Sequence, residues 1–291
     1  RGEARELRLY LPSADEFPRG FVYVPPGRFL FGSGDDESLR RFFNTVPLHP
    51  VETPAYLIAQ RETTFADWIA YLRALPEAER AARWPRAAPG LHGSLELRAL
   101  PGGAFELVLQ PATRPLVARE GEPLRYPGRT QRAAQDWLRA PVVGVSWEDA
   151  QAYAAWLDRT GRVPGARLCT DQEWERAARG ADDRLFPHGD RLLPDDANFD
   201  RSYGRQPLAF GPDEVGAHPA SRSPFGLDDA TGNVWEWVIS SVSAREGVAR
   251  GGGYYHTDRS CAVVNRQESE PTARNAMIGL RLCATWRGPV E

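Results

Sequence analysis

A chain of 291 residues, 42% apolar and with nine Trp, has the make-up of an ordinary globular protein: one domain, or one domain with an insert. Its net charge of −3 and the lack of any basic run speak against a nucleic-acid partner. No apolar stretch approaches the roughly 20 residues that span a bilayer, so no membrane partner is expected. The sequence holds no lysine, so all 36 positive charges are Arg. A GC-rich coding sequence accounts for this, and so would selection for guanidinium contacts. Three cysteines, Cys169, Cys261 and Cys283, are too few for a disulfide framework. The expectation is a cytoplasmic protein with free thiols, with one bridge and a spare left open.

In chain order, residues 1–19 read as a polar arm or linker, and 20–291 as the domain proper. Gly20 to Gly32 reads as two short strands around a Pro-Pro-Gly turn, and Ser33 to Ser38 as an acidic turn. Glu52 to Glu62 is extended. A helix then opens on Thr63 or Thr64, with Phe65, Trp68, Ile69 and Leu72 on one face. Residues 76–140 are rich in Arg, Pro and Gly and read as an insert lying on the main body, with a hairpin of Leu95–Leu100 and Ala104–Leu109. Ser146-Trp-Glu-Asp149 and Thr170-Asp-Gln-Glu173 are capping boxes that open two helices, and Gly180 closes the second. Beyond Ala181 the chain is loop-rich, with strands at Asn233–Ile239 and Ile278–Ala284.

Five segments, in order, carry a resemblance. They are Phe21–Ser33, Pro141–Tyr153, Arg167–Gly180 (with Cys169 where Pro is usual), Ser223–Trp237 with its Asn-Val-Trp-Glu-Trp, and a C-terminal block of Arg250-Gly-Gly-Gly, Asn265-Arg266 and Ile278-Gly-Leu-Arg281. Together they resemble the formylglycine-generating enzyme (sulfatase-modifying factor) family. The resemblance implies an α+β, C-type-lectin-like fold with few helices, short strands, much irregular structure and often bound calcium. Family members include copper-dependent oxidases that convert a sulfatase cysteine to formylglycine. Others are scaffolds of iron-dependent sulfoxide synthases, display domains with variable loops, and domains behind bacterial Ser/Thr kinases. Fold alone does not choose among these roles. The start without Met and the polar arm suggest a piece of a longer bacterial polypeptide such as a kinase fusion.

The oxidising members carry paired cysteines just after an Arg-Gly-Gly-Ser motif, and two thiolates hold a soft cuprous ion. Here the matching stretch runs from Arg250 to Cys261. Cys261 fills the second cysteine position, His256 stands at the first, and Gly253 replaces the serine. His256 and Cys261 are therefore the candidate catalytic pair. The alternative is a solvent-facing histidine and a core cysteine, and the substitution argues against copper. Pairing of Cys261 with Cys283 stays open beside two buried thiols. For calcium, Asn233 and Glu236 match the family's Asn-Val-Trp-Glu ligand stretch, and Asn198 lies where a second site is implied. Trp235 and Trp237 read as core. His49, His92, His188 and His218 each adjoin Pro or Gly and read as surface or structural groups.

Tyr254, Tyr255, Arg259, Arg266 and Arg274 are amphipathic or bidentate groups on loops that, in this fold, ring the ligand face. They are the candidate ligand-binding residues for a protein, peptide or small molecule. The expected function is a recognition or regulatory domain without oxidase chemistry. The alternative is a copper-dependent oxidase with an altered His/Cys site.

Overall fold

Capping chemistry written in the sequence sets the three longer helices of the computed structural model, which describes residues 11–13, 15–91, 93–241 and 247–289. Residues 1–10 and 14 of the expected arm, and His92, lie outside the described residues. Helix α1 spans Glu37–Phe42, α2 Phe65–Ala74, α3 Glu77–Ala82, α4 Trp147–Arg159 and α5 Asp171–Arg179. Thr64 with Asp67, Ser146 with Asp149 and Thr170 with Glu173 each form a reciprocal capping box. Gly180 closes α5 with φ of +86°, a backbone state that a Cβ disfavours. Helices α1 and α3 bury no residue. They lack the apolar periodicity that reveals a helix in sequence, and the acidic turn expected at 33–38 instead leads into α1 through its N-cap, Asp36.

The strands are short and lie in several small sheets. One sheet runs β1 (Phe21–Val24), β4 (Tyr56–Ala59), β16 (Leu282–Thr285) and β11 (Ala166–Leu168), all antiparallel. A ribbon pairs β2 (Gly27–Phe31) with β3 (His49–Thr53), which places His49 on a strand. A four-stranded meander links β5 (Arg86–Gly90), β6 (Gly93–Ala99), β7 (Phe105–Gln110) and β8 (Leu116–Arg119). Two-residue strands β9 (Leu124–Arg125) and β10 (Ala134–Gln135) pair beyond it. The last sheet runs β14 (Gln267–Ser269), β13 (Gly247–Arg250), β12 (Trp235–Ile239) and β15 (Ile278–Leu280), with β12 and β15 parallel. The run Ile278–Ala284, expected as one strand, is broken at Arg281 and divided between two sheets.

Side-chain alternation explains the meander. Leu95 and Leu97 on β6, Phe105, Leu107 and Leu109 on β7, and Leu116 and Ala118 on β8 are buried. They share one apolar cluster with Trp68, Tyr71 and Leu72 of α2 and with Tyr153, Trp156 and Leu157 of α4. Residues 86–119 thus bury their apolar face against the helices. A second cluster holds Tyr56, Trp174, Phe186, Phe199, Val238 and all three cysteines. Among the described residues no helix is long and apolar enough to cross a membrane.

Cys169 and Cys283 form a disulfide that joins the segment before α5 to β16, leaving Cys261 as the free thiol. One bridge with a spare is realised, but the partner of Cys283 is Cys169 and not Cys261. The bridge closes a loop with a sequence separation of 114. Chain entropy assigns a loop of that length roughly 4–5 kcal/mol of stabilisation. Thiol titration of the denatured, unreduced chain is therefore expected to give one equivalent, rising to three after reduction; three before reduction would contradict the pairing.

Candidate functional site

The stretch matched to the oxidase centre begins as β13 ends. The turn after Arg250 brings the chain back over the segment 253–261. At Gly252 (φ +78°) an added Cβ would lie 2.6 Å from Cys261 Sγ and 2.7 Å from its Cα. Only glycine allows that approach. The thiol is sealed in place: Cys261 has 0% exposure, Thr231 Oγ1 donates to its carbonyl at 2.7 Å, and Sγ lies 3.9 Å from the Gly253 carbonyl. Burial pushes the thiol far above its ordinary pKa, outweighing the hydrogen bond near Gly253. Burial of this kind disfavours the thiolate, the form that acts as nucleophile and as soft-metal ligand.

His256 is half-buried, its ring edge-on to Trp235 at 5.4 Å. Its backbone is fixed by Gly253, which accepts from its N–H at 2.9 Å, and by Asp200, whose N–H donates to its carbonyl at 2.9 Å. His256 therefore packs on an aromatic wall. Among the described residues no group of three or more His, Cys, Asp or Glu is arranged to hold a metal ion.

The residues expected to bind calcium are buried together, but protein donors engage their oxygens. Both oxygens of Glu236 are taken, Oε2 by Trp174 Nε1 (2.6 Å) and Arg281 Nε (2.9 Å), and Oε1 by Arg281 at 2.7 Å. Asn233 (φ 59°) accepts the Asp213 N–H on Oδ1 at 2.9 Å and donates Nδ2 to Glu62 Oε1 at 2.9 Å. Asn198 donates Nδ2 to the Gly211 carbonyl at 2.9 Å, and its own carbonyl accepts the Asn233 N–H at 2.7 Å. With both Glu236 oxygens and Asn233 Oδ1 already accepting protein hydrogen bonds, these three residues do not offer the six to eight oxygens that calcium takes.

The five candidate ligand residues separate. Tyr254 has 0% exposure and lies in the core, not on a loop tip, and its N–H donates to the Asn233 carbonyl at 2.9 Å. Arg266 is buried beside Asp171 at 3.1 Å. Arg274 braces α4 through Asp149 at 2.6 Å and donates to the carbonyls of Trp84 and Ala82, both at 2.8 Å. These three are structural contacts in this arrangement. Tyr255 is 44% exposed and tilts against Phe210, with ring centroids 4.9 Å apart. Arg259 reaches Asp35 at 2.6 Å and lines a cavity of about 380 Å³ with Phe186, Arg191, Leu193, Arg201 and Asp258. Trp235 and Trp237 are buried, as expected.

Sequence reasoning passed over the groups that tie this region together. Asp213 is fully buried. Its Oδ1 takes Arg129 at 2.5 Å, and its Oδ2 takes His218 Nε2 at 2.8 Å and the Tyr203 hydroxyl at 2.6 Å. His218 Nδ1 lies 3.0 Å from the Asp195 carbonyl, so both ring nitrogens face acceptors, which favours the imidazolium. Neither Asp213 nor His218 stands in a recognisable motif; the adjoining Pro219 marked His218 only as a loop residue.

Burial would lower the pKa of His218, but the hydrogen bond and charge of Asp213 outweigh it and raise the value. Burial raises Asp229 to about 6, against the N–H of Gly216 that would lower it. Both groups have folded values above their unfolded ones. Their stabilisation is therefore full below the unfolded value and lost as pH rises through the folded one. Asp229 loses its share across roughly pH 4 to 6, and His218 above about 6.5. Tm is expected to fall as pH climbs above about 6.5, and to fall less steeply in His218→Asn; equal slopes in the two proteins would contradict the assignment.

Comparison with known proteins places this geometry. The Sulfatase-modifying factor enzyme 1-like domain family (FGE-sulfatase) matches residues 10–286. The chain is 32% identical over 240 residues to the formylglycine-generating enzyme of Mycobacterium tuberculosis, covering 75% of this chain and 73% of that protein. It is 33% identical over 178 residues to the inactive C-alpha-formylglycine-generating enzyme 2 of Bos taurus, covering 56% of each. The chain thus spans little more than half the length of that relative. In fold it is similar to PvdO from Pseudomonas aeruginosa, with a TM-score of 0.66 at 21% identity over 91% of this chain and 94% of that one. A mixed α and β architecture, with five α-helices and many short strands among the described residues, and a family match over nearly its full length together show that the chain belongs to the sulfatase-modifying factor enzyme 1-like domain family.

Proposed function

We propose that this chain is a formylglycine-generating-enzyme-like domain that lacks oxidase chemistry and acts by recognising a ligand on the face formed by its C-terminal loops. The observation that carries this reading is the state of Cys261. It stands alone where the oxidising members carry two cysteines, it is sealed from solvent, and burial disfavours its thiolate. The other two cysteines are joined to each other, so neither supplies the missing sulfur. A relative whose name calls it inactive, 33% identical over 178 residues, is in keeping with a non-catalytic member.

The recognition chemistry follows from what remains exposed. The cavity of about 380 Å³ is lined by Arg191, Arg201 and Arg259, against Asp190 and Asp258, beside Phe186, Leu193 and Pro194; Arg259 is paired with Asp35 and Arg201 lies 4.0 Å from Asp258. Tyr255 stands exposed on the same loop as Arg259. Bidentate cations beside an apolar wall suit an acidic peptide or a small amphipathic anion.

Mass spectrometry of a sulfatase-type Cys-x-Pro-x-Arg peptide, incubated with the chain, cuprous ion and oxygen, tests the reading. The thiol is expected to persist while a known oxidase converts the same peptide. Aldehyde formation that disappears in Cys261→Ala would establish an oxidase with an altered His/Cys site instead.

A further inference from the structure

The oxygens near Asn198 converge on a cation that the chain itself supplies. Arg129 leaves the β9–β10 connection and buries its guanidinium completely, with side-chain exposure of 0%. Its Nε donates to the Ala209 carbonyl at 2.7 Å, one terminal nitrogen to the Gly211 carbonyl at 2.7 Å, and the other to Asp213 Oδ1 at 2.5 Å. Two aromatic faces complete the enclosure. The guanidinium carbon lies 3.6 Å from the ring centroid of Tyr126 and 4.0 Å from that of Tyr203. Three acceptors for the planar fork and two rings to stack on it match a guanidinium and no other common cation. An ammonium group has neither the plane nor the fork, and a calcium ion needs six to eight oxygens rather than aromatic walls.

This cage reaches the family's signature motifs through a short series of contacts. The Gly211 carbonyl that receives Arg129 also receives Asn198 Nδ2. The Asp213 backbone N–H donates to Asn233 Oδ1, and the Asn233 carbonyl receives the Tyr254 N–H, two residues before His256. A glycine follows the same logic: at Gly211 an added Cβ would meet the Tyr126 ring at 2.3 Å, so the loop presses directly on the wall of the cage.

We propose that the cage of Ala209, Gly211 and Asp213 between Tyr126 and Tyr203 is a guanidinium-binding site. Arg129 fills it and holds loop 195–213, the loop whose Asn198 stands where the family resemblance implies a calcium site. Arg129 is a positioning residue, and through it the segment 124–135 is fastened to the Asn233 region. A divalent ion placed on the same oxygens would lie against a fixed positive charge in a dry site, which is strongly unfavourable. The inference is independent of whether the domain oxidises or recognises.

Thermal unfolding tests it with an exogenous guanidinium. Wild-type Tm is expected to be the same in calcium and in a calcium chelator. Arg129→Ala should lose roughly 5–15 °C, because it leaves Asp213 buried without its cation. Low-millimolar methylguanidinium chloride should restore part of that loss, whereas equal sodium chloride should not, and neither salt should raise wild-type Tm. Absence of rescue by methylguanidinium, rescue by calcium instead, or a wild-type Tm that falls in chelator would each overturn the proposal. Should Arg129→Ala fail to fold, Arg129→Lys poses the same question by keeping the charge without the fork. A loss of stability in Arg129→Lys is expected, and wild-type stability there would overturn the assignment.

Discussion

Arg281 is the residue on which the two halves of this fold meet. Its side chain is fully buried, and each of its five N–H groups has an acceptor. Two go to Glu236, and the other three go to the carbonyls of Ala59, Gln60 and Asp228. The chain breaks its strand at this position, leaving β15 in one sheet and entering β16 in another, so one guanidinium ties both sheets to the β4 end and to the loop before Asn233. Burying an ion pair costs desolvation, and removing one partner of such a pair costs about 3–5 kcal/mol because the other is stranded. The arrangement survives because every polar hydrogen is matched.

Buried guanidinium groups that donate to backbone carbonyls recur, and they give the all-arginine composition a structural use. Arg179 donates to the carbonyls of Leu30 and Gly32, and Arg250 pairs with Glu175 and donates to the Val263 carbonyl at 2.6 Å. Arg129, Arg179, Arg250 and Arg281 are each buried, and each donates to backbone carbonyls at strand ends or in loops. In a fold with short strands and long connections, a planar donor of five hydrogens replaces missing ladder partners. Lysine offers three donors on one point and does not span two carbonyls and a carboxylate together.

Local signals carried most of the architecture. The three capping boxes, the 95–109 hairpin and the strands at 21–31 and 235–239 were legible because each depends on residues a few positions apart. Helices α1 and α3 were not, since they bury nothing and show no apolar stripe. At the candidate site, the departure from two cysteines could be read directly, since it is a matter of which residues stand at 256 and 261. The burial of Tyr254 and Arg266 and the bracing role of Arg274 could not, because an amphipathic side chain has the same letter whether it faces water or a carboxylate. Arg129 and Asp213 meet across 84 positions, and Cys169 and Cys283 across 114. Such contacts are fixed by topology, which no short window of sequence contains.

The central claim is that Cys261 is a solvent-sealed cysteine without a second sulfur to share a metal, and metal affinity reads it most directly. Anaerobic titration of the unreduced chain with cuprous ion, in competition with a colour-forming chelator, would compare wild type with Cys261→Ala. The account predicts coincident curves with no tight equivalent bound by either protein. One equivalent held tightly by the wild type and lost in Cys261→Ala would contradict it.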